Sequence, residues 1–217
     1  MKLPLSIEAL LKEAGTFAHT ESTHAEPSIY GITDGKAIGT YLEHKFHTHL
    51  GAKYTYEQGS SARGIDFPGL GVDVKVTRIT QPQSSCPFES ARQKIYGLGY
   101  SLLVFVYDKI DDPETQTGRL DIRHTIYIDK NYTADFQTTS GIRQIIENNG
   151  NVDDLIAFMH DRYLPVDEIQ ATELAAEILT NPPRVGYLTI SNALQWRLQY
   201  SRAIEKAGEL EGVLRIR

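Results

Sequence analysis

The sequence predicts a mixed α/β fold, a central β-sheet flanked by helices, with a mainly helical C-terminal part. Three stretches carry that expectation. Residues 59–77, GSSARGIDFPGLGVDVKVT, read as a tight β-hairpin whose second arm, residues 72–76, is β-branched. Residues 100–107, YSLLVFVY, form a nearly continuous apolar run of strand length, the pattern of a central strand covered on both faces. From residue 135 onward the apolar spacing turns helical.

The 217 residues, 41% apolar and 23% charged, suffice for one sizeable core with a small appended module. We divide the chain into a core over residues 1–133 and a helical region over 134–217. No apolar run approaches the roughly 18 residues of a membrane span, and the N-terminus leads into an amphipathic segment, so a cytoplasmic protein is expected. The single cysteine, Cys86, has no partner for an internal disulfide or a zinc site. A net charge of −6 gives no hint of nucleic acid, and DNA contact would require locally clustered Lys and Arg.

In chain order, residues 5–15 read as a short helix with Ser6 as N-cap and Gly15 as its stop, followed by a loop carrying His19 and His24. Asp34 opens a stronger helix over residues 37–50, with Ile38, Tyr41, Leu42, Phe46 and Leu50 at helical spacing. Glu43 falls at the edge of its apolar face, where it either reaches towards a neighbouring strand or stays a surface Glu beside Lys45 and His47. His44, His47 and His49 invite a zinc reading, but only His44 and His47 share a helix face and no catalytic zinc spacing is completed. Residues 54–57 read as a strand, residues 81–87 as a Pro, Gln and Ser-rich loop, and residues 89–98 as a helix whose Gln93, Lys94 and Tyr96 suit phosphate binding. A strand over residues 119–129 follows a polar loop at 111–118. Helices are then expected at 140–148, 152–163 and 167–179, each ended by Gly or Pro. Past the diproline, residues 189–198 and 200–210 look like two short helices before an extended tail. Such an order over 183–217 makes either a winged-helix reader of DNA, with Gln195, Arg197, Tyr200, Ser201, Arg202 and Lys206 as polar contacts, or a packing or dimerisation element.

The chemistry is concentrated in the hairpin. Side chains two apart on a strand share a face, so Asp73 and Lys75 project together while Val72, Val74 and Val76 project oppositely. The turn at residues 68–71 folds Asp66 back to the same edge, which sets a carboxylate pair beside an ammonium.

These residues, Gly39 to Glu43 on the helix and Asp66 to Lys75 on the hairpin, resemble the PD-(D/E)xK nuclease superfamily, and within it the branch of the mismatch-repair nickase MutH and related type II restriction endonucleases. Ile65 stands where the name-giving proline would precede Asp66. The resemblance implies a restriction-endonuclease-like core and a catalytic set of Glu43, Asp66, Asp73 and Lys75. It also implies a Mg²⁺ ion on Asp66, Asp73, the Val74 carbonyl and Glu43, oxygen ligands that suit a hard cation. Lys75 would orient the attacking water, and Arg63, Thr77, Arg78, Gln93, Lys94 and Tyr96 would position phosphates. The C-terminal segment is similar to small winged-helix domains such as the DNA-reading end of FtsK. The function so implied is a Mg²⁺-dependent type II restriction endonuclease acting on double-stranded DNA, often as a homodimer. A MutH-type nickase and a catalytically silent DNA-binding module are the alternatives.

Overall fold

The computed structural model describes residues 2–59, 64–86, 90–191 and 196–217. After a two-residue strand, β1 (Leu3–Pro4), helix α1 (Ile7–Glu21) begins at Ser6, whose hydroxyl accepts the Ala9 N–H. The helix does not stop at Gly15. Phe17, Ala18 and Glu21 continue the buried stripe of Leu10 and Ala14, and that packing outweighs the roughly 1 kcal/mol cost of a mid-helix glycine. His19 therefore rides in a helical turn instead of a loop. Helix α2 (Gly35–Lys53) is capped by the Asp34 carboxylate, which accepts the Lys36 and Ala37 N–H groups. It buries Ile38, Leu42, Phe46 and Leu50 and runs into β2 (Tyr54–Thr55), which pairs in parallel with β1.

Only part of the expected hairpin forms. Phe67 and Val72 meet in one antiparallel bridge around a 3-10 turn, Pro68–Leu70, and residues 64–66 are not strand. Gly71 closes that turn at φ 62°, a conformation a side chain would strain. The other arm is a full strand, β3 (Val72–Arg78), whose main partner is β5. Next come β4 (Gln83–Ser85) and the short helix α3 (Arg92–Tyr96). The apolar run becomes β5 (Ser101–Asp112), paired antiparallel with β6 (Thr117–Ile128), and the two strands take both ends of the stretch read as a polar loop, leaving 113–116 as the turn.

Three helices follow as expected, α4 (Phe136–Glu147), α5 (Val152–Asp161) and α6 (Glu168–Thr180), with N-caps Asp135, Asn151 and Asp167. The next expectation fails. At the described ends of the helix expected over 189–198 stand β7 (Thr189–Ile190) and β8 (Arg197–Gln199), while residues 192–195 lie outside the described residues. Buried Leu198 and Tyr200 alternate with Arg197 and Gln199, a period of two that suits a strand. Helix α7 (Ser201–Lys206) and strand β9 (Val213–Arg215) complete the chain, and among the described residues the helix, turn, helix and strand order of a winged helix is not formed.

The central mixed sheet has the order β3-β5-β6-β9, and a smaller sheet has the order β4-β8-β7. One face of the central sheet, through Val72, Val74, Leu103 and Phe105, packs on α1 and α2. The other, through Leu102, Val104 and Val106, is covered by Leu188, Ile190, Leu198, Tyr200 and Ala203. Each such apolar side chain contributes about 1.5–3 kcal/mol by leaving water. Helices α3 to α6 form a separate layer around Ile95, Ile142, Leu155, Met159 and Ile178.

Candidate active site

Strand alternation on β3 sends Val72 and Val74 into the helix-covered core and turns Asp73 and Lys75 the other way. Asp73 is only 2% exposed, and its Oδ2 faces the Lys75 ammonium at 2.6 Å. That oxygen is buried yet receives no well-directed hydrogen bond, so the ion pair leaves it with unspent acceptor capacity. Asp66 arrives from the segment before the 3-10 turn, where its Oδ2 accepts the Val74 N–H at 2.7 Å. The chain is folded tightly over it, because the Gly59 N–H donates to the Asp66 carbonyl at 2.9 Å. A Cβ at Gly59 would stand 1.8 Å from the Ile65 carbonyl oxygen, which leaves glycine as the residue that fits.

The carboxylates oppose one another. Burial, against the attraction of Lys75 and with the added repulsion of Asp66, pushes the Asp73 carboxyl up to about 7. Glu43 reaches this edge from α2, and burial first, then the Asp66 charge, raise it to about 7 despite Lys75. Sequence position left Glu43 between a surface residue and a strand-facing one; half-buried, it stands in the field of Asp66 and Lys75. It also borders two clefts, one of about 710 Å³ shared with Lys75 and one of about 760 Å³ shared with Asp66, His44 and His47.

Two acids raised by burial and by the Asp66 charge around one lysine, with a buried Asp73 oxygen that still has acceptor capacity, are a donor set suited to a hard divalent cation, whose charge would relieve the conflict. Among the described residues no three His, Cys, Asp or Glu side chains are drawn together as a preformed metal cage. The histidines are used otherwise. His49 binds Glu13 at 2.7 Å, and His47 stacks on Phe67 with ring centroids 4.9 Å apart while meeting the Tyr56 hydroxyl.

The expected DNA contacts divide sharply. Arg78 and Arg197 line the polar cleft beside Lys75, together with Lys36, Gln81 and Gln83, which sequence reasoning missed because they sit on a helix start and in an apparent loop. Thr77 lines it too, but it is buried, with its hydroxyl engaged by the Gln81 and Gln83 backbone. Gln93 and Lys94 are corrections. Both are buried, and Lys94 lies over the Trp196 ring at 5.0 Å. Tyr96 is turned towards α6, donating to the Asn181 carbonyl, while Arg92 pairs with Glu177. The helix read as a phosphate grip is thus a packing element, since Arg92 and Tyr96 face α6 and its end while Lys94 is buried over Trp196. Tyr200 is also a correction, fully buried with its hydroxyl against Ser84, because its ring fills the core behind β8. Ser201 is exposed, Arg202 lies over the Phe136 ring at 3.6 Å, and Lys206 pairs with Glu209 at 3.0 Å; none of the three lines the cleft. Arg63 and Gln195 lie outside the described residues.

Comparison with known proteins gives this arrangement its context. A family model described as "Type II restriction enzyme NspV" matches residues 4–215. The type II restriction enzyme NspV of Nostoc sp. (strain ATCC 29411 / PCC 7524) is 65% identical over 212 residues, covering 98% of this chain and 96% of that protein. Among solved structures, the tetrameric restriction endonuclease SfiI bound to cognate DNA aligns over 99% of this chain and 88% of its own, at 10% identity and a TM-score of 0.42. The class is that of type II restriction enzymes, which are site-specific deoxyribonucleases. Within that class, the chain belongs to the NspV family.

Proposed function

We propose that this enzyme cuts double-stranded DNA by a Mg²⁺-dependent mechanism of the PD-(D/E)xK type, with Glu43, Asp66, Asp73 and Lys75 as its catalytic set. The observation that carries the reading is the Asp73–Lys75 ion pair at 2.6 Å beside Asp66, with burial first and the Asp66 charge second pushing the Asp73 and Glu43 carboxyls up to about 7. Charge conflict of this kind weakens the fold and is retained where a reaction uses it. Family membership favours double-strand cleavage over the nickase and the silent module.

Hydrolysis of a phosphodiester requires an activated water, neutralisation of charge on the phosphoryl oxygens and support for the departing oxygen. Asp66, Asp73 and the Val74 carbonyl would hold the cation, with Glu43 beside them. When bound, the ion supplies Lewis-acid polarisation of the phosphate and lowers the pKa of water. Lys75 orients the attacking water and offsets phosphate charge. Glu43, on α2 beside these residues, takes up the proton that water gives up. Arg78 and Lys36, at the cleft wall, grip flanking phosphates. A cytoplasmic two-fold dimer on a palindromic site completes the proposal.

Supercoiled plasmid DNA tests it. Discrete fragments are expected in Mg²⁺ and none with a chelator, with Asp73→Ala inactive yet able to bind duplex DNA. Undiminished cleavage by Asp73→Ala overturns the site, and nicks without linear product overturn double-strand cutting.

A further inference from the structure

Beside the catalytic strand stands a ribbon made of β4 and β8. Its register pairs Gln83 with Gln199, Ser84 with Leu198 and Ser85 with Arg197. Cross-strand partners share a face, so Ser84 and buried Leu198 look into the core while Gln83, Ser85, Arg197 and Gln199 look away from it. The inner face is fastened down: the Ser84 hydroxyl meets the Tyr200 hydroxyl, and the Tyr200 N–H donates to the Pro82 carbonyl at 2.9 Å. The outer face carries amide, hydroxyl and guanidinium groups and no carboxylate, in a chain whose net charge is −6. Gln83, Ser85 and Arg197 line the same cleft as Lys75, whose described wall sets Lys36, Lys75, Arg78 and Arg197 against the single acid Glu43.

The ribbon is also tied to the chemistry. The Thr77 hydroxyl, two residues past Lys75, bonds the Gln81 and Gln83 carbonyls at 3.2 and 3.1 Å and accepts the Gln83 N–H at 2.9 Å. We propose that the β4–β8 ribbon reads base edges in the major groove of duplex DNA, with Arg197 recognising a guanine and Gln83 an adenine. The inference rests on the nuclease reading of the adjoining cleft. Within the three-stranded sheet β4-β8-β7, whose β7 is only two residues long, β4 and β8 present the two-strand width that a groove about 12 Å wide admits; a guanidinium fork matches guanine O6 and N7, and a carboxamide matches adenine N6 and N7. Thr77 then holds the readers at a constant offset from Lys75, so the base read and the phosphate attacked keep one spacing.

Binding selection from a pool of randomised duplexes, with Ca²⁺ in place of Mg²⁺, tests the assignment without requiring cleavage. Arg197→Ala should relax one G·C position of the selected consensus and Gln83→Ala one A·T position, each losing about 5- to 150-fold in discrimination there. Gln83→Glu should move preference at its position towards cytosine, whose N4 amino group donates to a carboxylate. An unchanged consensus in these variants, or equal weakening across all duplexes with a shallower salt dependence, overturns the proposal, the latter marking phosphate contacts. Melting curves show whether each variant folds, and the Gln83 variants decide should Arg197→Ala fail to fold. A wild-type protein that selects a consensus but cuts nothing sinks the catalytic reading and leaves the ribbon assignment intact.

Discussion

Helix α2 and its neighbours hold two buried acidic clusters, and they resolve their charge in opposite ways. At the far end of α2, Glu13 of α1 is 6% exposed but receives the Lys53 ammonium at 2.6 Å, the His49 ring at 2.7 Å and the Tyr54 hydroxyl at 3.2 Å. Burial raises that carboxyl, yet the Lys53 and His49 hydrogen bonds prevail and hold it below its usual value. At the β3 edge, Asp73 has one cation and a rival carboxylate, and it is driven up to about 7. A carboxylate given enough donors pins two helices together; one denied them is kept ready for a ligand that the fold itself does not supply.

The sharpest way to break this contrast is by substitution at each centre. Asp73→Ala should cost at least about 10²- to 10³-fold in cleavage, the scale of one lost preorganised electrostatic group, here the carboxylate proposed to hold the cation. The comparison fails should Glu13→Ala lower the rate per folded molecule as much. Glu13→Ala should instead cost about 1.5–3 kcal/mol of stability, the range for hydrogen bonds to a charged group, measured by denaturant unfolding.

Opposite pKa shifts also give opposite pH signatures in the metal-free protein. Glu13, lowered from 4.5, contributes stability that is complete above that value and is lost as pH falls through its folded pKa. Asp73, raised from 3.8 to about 7, imposes a cost that is absent below 3.8 and complete above 7. Melting temperatures should therefore show Asp73→Asn gaining on the parent above pH 7 and losing that gain in acid, while Glu13→Gln is worse than the parent at neutral pH and converges with it in acid. Equal slopes for the two variants would remove the distinction. The smallest effect is expected at α3, where Tyr96→Phe loses a hydrogen bond to the Asn181 carbonyl, worth about 0.5–1.5 kcal/mol, and leaves DNA affinity unchanged in a titration.

The central sheet was legible because its pattern is local: seven consecutive buried residues open β5, and period-two alternation marks Asp73 and Lys75 on β3. Asp66 was found by the turn, although only the single Phe67–Val72 bridge survives of the expected hairpin. What misled was context. Arg92, Gln93, Lys94 and Tyr96 have the composition of a phosphate grip, and only the packing of α6 shows that this surface is already taken. Residues 197–200 alternate as a strand does, but four residues are too short a sample to outweigh a helical neighbourhood. The ribbon was invisible for the same reason, since the Gln83–Ser85 strand is held by residues more than a hundred positions away.

The last residues have a further consequence for solution behaviour. Strand β9 covers the end of β6 over Ile126–Ile128, the Ile216 N–H donates to the Thr125 carbonyl, and the Arg217 guanidinium donates to the Ala18 carbonyl and Ser22 hydroxyl of α1. The opposite end of β6 is closed by the Glu26–Gly118 bridge, and the stretch between carries Arg119, Asp121 and Arg123. An uncovered strand is a template for pairing with a second molecule, and short covers with interspersed charge are how a sheet refuses that pairing. Residues 213–217 thus take up the hydrogen-bonding edge of β6 over Thr125–Ile128 that would otherwise be open to another strand, at a place remote from the candidate site.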